Sequence, residues 1–243
     1  MTYKEISRNG KGRQVSSFNN FRNYRKGGIP TPSINTEGLV LYYDFGNGKC
    51  FPNTNTTVLD LSAQVNNGTL TNGPVYNRAN NGIITFDGTN DSISCGNPAS
   101  LNVLNFTICV WVRNNSFSNY QNAIFKGSAL GGQYGLIFDS TGDWAIQPNI
   151  GASFVGDPIS LNTWNFFAGT YNGTSTTTFR NGIQKSQYAV AQSSKGTVVS
   201  IGADTVNGRY LNGSIGQAMI YNRPLSSSEI WQNFNATRGI YGI

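Results

Sequence analysis

Phe106-Thr107-Ile108-Cys109-Val110-Trp111-Val112-Arg113 is the longest apolar run in the chain, and it is rich in β-branched and aromatic residues. That composition suits a strand. Similar runs surround it: 39–43, 83–86, 92–95, 123–125, 134–138, 144–146, 164–171, 176–180, 183–186, 198–201 and 215–221. Each is short and bounded by Gly, Asn, Asp or Pro. A dozen short strands with turn signals between them and no alternating helical segments predict an all-β sandwich or jelly roll.

Two local structures are specified in more detail. Asn181-Gly182, between Thr178-Phe179-Arg180 and Ile183-Gln184, supplies two residues suited to positive φ and predicts a two-residue type I′ hairpin. Ser226-Ser227-Ser228-Glu229 is a capping box that starts a C-terminal helix. Leu225 and Ile230 form its hydrophobic staple. Ile230, Trp231 and Phe234 are expected to dock the helix on the sandwich, and Gly239 to end it.

Composition narrows the chemistry. The 243 residues include no histidine, which excludes Ser-His-Asp and Cys-His catalysis and His-ligated metal sites. Only 12% of residues are charged, Gly numbers 29, and Asn is more frequent still. Cys50, Cys95 and Cys109 fit no metal spacing, and Cys109 reads as a small buried hydrophobe. No secretory signal or membrane-spanning run is visible.

The net charge of +6 is not spread along the chain. Residues 1–28 hold Lys4, Arg8, Lys11, Arg13, Arg22, Arg25 and Lys26 against the single acid Glu5, a surplus equal to the whole net charge. The rest is electrically balanced. Residues 1–28 therefore read as a basic N-terminal arm, with Phe18, Phe21 and Tyr24 as apolar anchors among the cations. Residues 29–37, which include Pro30 and Pro32, read as a linker, and 38–243 as the folded domain.

The order of motifs carries a resemblance. Gly38-Leu39-Val40-Leu41-Tyr42-Tyr43-Asp44 is followed by Val58-Leu59-Asp60-Leu61-Ser62 and Asn66-Asn67-Gly68-Thr69-Leu70. Phe86-Asp87-Gly88-Thr89-Asn90-Asp91-Ser92-Ile93 comes next, then the run at 106–112. Trp164-Asn165-Phe166-Phe167, Arg180-Asn181-Gly182, Leu211-Asn212-Gly213-Ser214-Ile215-Gly216 and Ile220-Tyr221-Asn222-Arg223-Pro224-Leu225 complete the series. Over about residues 38–235 this resembles the laminin-G-like, concanavalin A-like lectin/glucanase jelly roll. The stretch at 39–70 is most similar to the form carried by structural proteins of tailed bacteriophages.

The resemblance implies a sandwich but not one function, because lectins, glycosidases, adhesion modules and inert structural domains share it. Glucanases of this fold use clustered carboxylates, and a retaining pair lies about 5–5.5 Å apart. The only glutamates are Glu5, Glu37 and Glu229, in no Glu-x-Asp pattern. Asp87 and Asp91, like Asp139 and Asp143, bracket turns. The chain is expected to be non-enzymatic.

No cofactor is expected beyond a calcium ion, which related domains bind through an Asp and amides. Asp60 and Asn67 are the weak candidates, and Gly216-Gln217 stand where the family commonly places an acid. Tyr120, Tyr134, Trp144 and Tyr210 are the candidate glycan contacts, whereas Trp111 and Trp164 read as core. The resemblance implies a virion protein, first a capsid decoration protein present in many copies. Its arm would dock on the major capsid protein or another virion protein rather than on nucleic acid or a membrane. The alternative is a carbohydrate-binding adhesin, on a tail or fibre or as a free lectin, for a cell-surface glycan.

Overall fold

A computed structural model describes residues 33–51, 56–78, 81–128, 131–148, 153–191 and 198–243. The strands begin with β1 (Leu39–Asp44), β2 (Thr57–Val58), β3 (Gly68–Thr71), β4 (Val75–Asn77), β5 (Ile83–Asp87) and β6 (Ser92–Ser94). The middle of the chain forms β7 (Phe106–Asn114), β8 (Gln121–Ser128), β9 (Gly131–Phe138), β10 (Trp144–Ile146), β11 (Asn165–Tyr171) and β12 (Ser175–Arg180). β13 (Ile183–Ala189), β14 (Val198–Ile201), β15 (Ala203–Asp204), β16 (Arg209–Tyr210) and β17 (Asn212–Tyr221) precede helix α1 (Ser227–Thr237). Among the described residues no helix is long and apolar enough to cross a membrane.

The strands form two antiparallel layers. One has the order β13-β12-β11-β7-β17-β5-β4, with β1 on the second half of the long β17. The other runs β10-β9-β8-β14-β6-β3-β2. Ile108, Val110 and Val112 of β7 point between the layers, where they join Leu41, Ile84, Ile215, Ile124, Leu136, Trp144 and Ile201. This is the expected jelly-roll sandwich.

The run at 106–112 is apolar on both faces because two cores claim it. Its alternate residues Cys109 and Trp111 point away from the sandwich. They join Phe166, Ala168, Phe179, Met219 and Tyr221 beneath Leu225, Ile230 and Phe234. Trp111 Nε1 donates to Thr237 Oγ1 at 2.8 Å, and Tyr241 stacks on the Trp111 ring at 4.2 Å. An isolated helix of eleven residues is marginal in water, so α1 is held by this docking. Each large apolar side chain fully buried there contributes about 1.5–3 kcal/mol.

Local expectations hold in most places. Asn181 and Gly182 have φ of 52° and 78°, as a type I′ turn requires. A Cβ on Gly182 would also lie 2.6 Å from the Trp231 ring, so this turn packs tightly against α1. Ser226 and Glu229 form the capping box. Two details differ. Trp231 is 48% exposed, because the buried stripe of α1 runs through Ile230, Asn233, Phe234 and Thr237, and Trp231 lies about 100° away around the helix. The α-helix ends at Thr237 and tightens into a 3₁₀ turn, Arg238–Ile240, so Gly239 is not a left-handed cap.

β17 carries a bulge between Ile215 and Gln217. Gly216 sits there beneath Tyr241, whose hydroxyl would lie 2.2 Å from a Cβ. The C-terminal turn thus occupies the space beside this position. The three cysteines are free and buried.

Candidate ligand-binding rim

At one end of the sandwich, three connections meet beside β8. The β15–β16 hairpin is built on Asp204, which is fully buried. Its Oδ1 accepts the Val206 and Asn207 N–H groups at 3.1 Å each, and its Oδ2 accepts Asn207 Nδ2 at 2.7 Å. The opposed residue is Arg209, with Nη1 3.9 Å from Asp204 Oδ2. That spacing lies beyond hydrogen-bond range and leaves the guanidinium fork open. Its Cζ is 5.4 Å from the Tyr120 ring centroid, a cation–π geometry.

Tyr120 directly precedes β8 and is 48% exposed. The next residue, Gln121, anchors it: Nε2 donates to Ser116 C=O at 2.8 Å, and Oε1 accepts the Asn212 N–H at 3.0 Å. Phe154 comes from the third connection, its ring 6.2 Å from that of Tyr120, and it is 36% exposed. Asp143 pins this segment by accepting from the Gly156 and Asp157 N–H groups. Asp157 in turn pairs with Arg180 at 2.8 Å and Lys185 at 3.2 Å. Two exposed rings and a guanidinium, each held from behind, form a platform suited to stacking and to charge-assisted hydrogen bonds.

Of the four aromatic candidates, the structure brings Tyr120 and Tyr210 to this rim, Tyr210 as a half-buried member of β16 next to Arg209. Trp144 and Tyr134 must be corrected. Trp144 is fully buried edge-on to Phe167, with ring centroids 4.8 Å apart. Tyr134 is equally buried, 5.5 Å from the Phe106 ring, with its hydroxyl on Leu101 C=O at 3.1 Å. Neither offers a face to a ligand. Phe154 and Arg209 were not foreseen. Arg209 was legible only as one residue of a polar loop, and Phe154 lies in a segment with no periodic pattern.

Asp60 and Asn67 serve a turn. Asp60 Oδ1 accepts from the Tyr42 and Ser62 N–H groups at 2.8 and 2.9 Å; Oδ2 accepts from Ser62 Oγ at 2.6 Å and the Asn66 N–H at 2.8 Å. Asn67 Oδ1 accepts the Asp60 N–H at 3.0 Å. The carboxylate lone pairs are committed to donors that would have to be displaced before a cation could enter, so the weak calcium assignment is withdrawn for these residues.

Every other aspartate among the described residues, and Glu229, is also engaged, whereas Glu37 is 87% exposed with Arg223 no nearer than 3.8 Å. Asp87 takes the Thr89 N–H, which holds its carboxyl below the ordinary range, and Asp91 takes the Asp87 N–H while burial raises its own. Asp139 accepts from Thr141 and Asp143, and Asp44 from Gly46. Arg223 faces both Glu37 and Glu229. Among the described residues no group of three or more Cys, Asp or Glu side chains is placed to hold a metal. The arm residues Lys4, Arg8, Lys11, Arg13, Phe18, Phe21, Arg22, Tyr24, Arg25 and Lys26 lie outside the described residues.

A family model described as the concanavalin A-like lectin/glucanases superfamily matches residues 87–231, more than half of the chain. No curated protein sequence matches. Among solved structures, Trypanosoma rangeli sialidase superposes with a TM-score of 0.66 at 17% identity, over 86% of this chain and 34% of its own. The binding domain of Paraclostridial Mosquitocidal Protein 1 gives 0.63 at 16%, over 82% and 52%. The receptor-binding domain of botulinum neurotoxin type G gives 0.59 at 15%, over 82% and 51%. The chain thus spans about a third of the sialidase and about half of the toxin chains, and at these identities the likeness is one of fold.

Proposed function

The chain belongs to the concanavalin A-like lectin/glucanases superfamily, and on that premise we propose that it is a non-enzymatic structural protein of a tailed-phage virion. In this reading it decorates the capsid in many copies, with the lectin-like domain displayed and the N-terminal arm docked on the major capsid protein or another virion protein. The observation that carries it is the segregation of charge: the whole surplus of six lies in residues 1–28, beside an electrically balanced remainder. Arginine and lysine spaced by Phe18, Phe21 and Tyr24 suit an acidic protein surface with apolar pockets. Many copies on one particle would offset a modest affinity at each site. The resemblance of residues 39–70 to phage structural proteins supplies the virion context. The commitment of every described aspartate and of Glu229 to a turn, a cap or an ion pair supports a non-enzymatic role.

The test is deletion of residues 1–28. The truncated protein should remain folded and soluble but fail to enter particles. Normal incorporation would sink this reading.

A second reading, a carbohydrate-binding adhesin, is favoured by one feature, the exposed Tyr120–Arg209–Phe154 platform. A glycan array with the full chain separates the two, since a pure decoration role needs no glycan hit.

A further inference from the structure

We propose that Lys126 and Asn97 are the two ends of an intramolecular isopeptide cross-link, closed by the folded chain without a second protein. The Lys126 side chain on β8 is fully buried. Its Nζ donates to Asn97 Oδ1 at 2.7 Å. Among the described residues no carboxylate pairs with it. A buried ammonium without a counter-ion is destabilised, and its proton is released more readily. Burial accordingly lowers the Lys126 amine below its ordinary value. A desolvated, unprotonated lysine amine is a nucleophile.

The sheet sets the two groups face to face. Lys126 is paired with Val199 of β14, and β14 pairs in turn with β6. The chain leaving β6 stays on Val199: the Cys95 N–H donates to Val199 C=O at 2.8 Å, and the Val199 N–H to Gly96 C=O at 2.9 Å. Gly96, with φ of 66°, turns the chain just before Asn97. Pro98 then opens the 3₁₀ turn Ala99–Leu101, and Leu101 C=O accepts the hydroxyl of Tyr134 at 3.1 Å. Tyr134 is the residue paired with Lys126 on its other side. Both ends are thus fixed by backbone pairing, 29 residues apart in the chain. The Asn97 carboxamide carbon, one C=O bond of about 1.23 Å beyond Oδ1, lies within about 4 Å of Nζ. Groups held near attack distance react as though at very high concentration.

Two features favour this amide. Asn97 precedes Pro98, which has no backbone N–H, so the competing attack of the next backbone nitrogen on the asparagine side chain is closed. Asn97 is also exposed, which gives the leaving group a path to water. In the step, the Nζ lone pair attacks Asn97 Cγ. The Nζ–Cγ bond forms, the Cγ–Nδ2 bond breaks, and the proton lost by Nζ leaves on Nδ2 as ammonia. No oxidant or cofactor is consumed. With no carboxylate paired to Lys126 to relay the proton, closure follows folding slowly. The product ties β8 to the segment after β6 in a domain whose three cysteines are unpaired.

The test is the intact mass of the full chain, purified in its folded state and held in mildly alkaline buffer. The native wild type should lose the mass of one ammonia. Its tryptic digest should contain a branched peptide joining Lys126 to Asn97, uncut after Lys126. Asn97→Ala, a change at an exposed loop residue, should keep its full mass, and wild type held in denaturant should give no branched peptide. A native wild type that keeps its full mass overturns the inference and leaves Lys126 as a buried hydrogen-bond donor. Ammonia loss that persists in Asn97→Ala also overturns it, because the loss then belongs to a succinimide at one of the chain's Asn-Gly pairs. The deciding mass is that of the wild type, so the outcome does not depend on a variant folding or on how residues 1–28 are used.

Discussion

Arg223 and Glu229 meet as a bidentate ion pair, Nη2 to Oε1 at 2.6 Å and Nη1 to Oε2 at 3.1 Å. The same Oε2 accepts the Ser226 N–H at 2.8 Å. One carboxylate thus closes the capping box and also ties α1 to the residues that follow β17.

The first prediction concerns acid. Arg223, ahead of the Ser226 hydrogen bonds, lowers the Glu229 carboxyl from 4.5 to about 2. A folded-state value below the unfolded one stabilises the fold above the unfolded value, and that stability is lost as pH falls from about 4.5 through 2. Each side chain is 25% exposed, so screening by water reduces the effect to about 1–2 kcal/mol. Glu229→Gln should lower stability by that amount at pH 7 and flatten this part of the acid limb in thermal melts.

A second prediction tests the contact between the β12–β13 turn and α1. Gly182→Ala meets a positive φ and an indole 2.6 Å from the new methyl, and should cost about 2 kcal/mol or more in urea denaturation. Gly208→Ala has a φ of 68° and no neighbouring atom within 4 Å, and should cost only the backbone strain, about 1 kcal/mol. Equal losses would mean that Trp231 moves freely aside.

The aromatic candidates divide by burial. Trp144→Ala should destabilise by about 3–5 kcal/mol, as for other buried tryptophans. Tyr120→Ala should change stability by less than about 1 kcal/mol, because half of the ring already faces water. If the rim binds glycan, Tyr120→Ala and Arg209→Ala should each abolish array signal in a protein that melts normally.

Thiol chemistry gives a fourth check. Burial pushes the thiols of Cys50, Cys95 and Cys109 up to about 12. None should react with a thiol reagent at pH 8 in the native protein, and all three should react after denaturation. Adding a reductant should leave the melting temperature unchanged.

Much of the fold is legible without coordinates because its signals are local. Asn181-Gly182 specifies a turn by backbone sterics, and Ser226 to Glu229 specifies a helix start by hydrogen-bond chemistry. The strands missed are β2, β3, β4, β15 and β16. All are at most four residues long, and Thr57–Val58 and Arg209–Tyr210 become strand only through their pairing partners. The rim was half legible for a related reason. Tyr120, Tyr134, Trp144 and Tyr210 all stand near turn residues, and proximity to a turn does not say which way a ring points.

The sequence by itself determined that this chain is a sandwich of short antiparallel strands, that a capped helix follows it, and that the net charge resides in residues 1–28. Tertiary structure alone decided which of the aromatics near turns, Tyr120, Tyr134, Trp144 and Tyr210, are buried. A strand of period two has two faces, and only pairing and layering assign them. Trp144 faces inward onto Phe167 of the other layer, Trp111 is buried outside the sandwich because α1 covers it, and Tyr120 is left half-exposed with Arg209 reaching its ring from a hairpin some ninety residues away. Those are long-range contacts that no local pattern encodes.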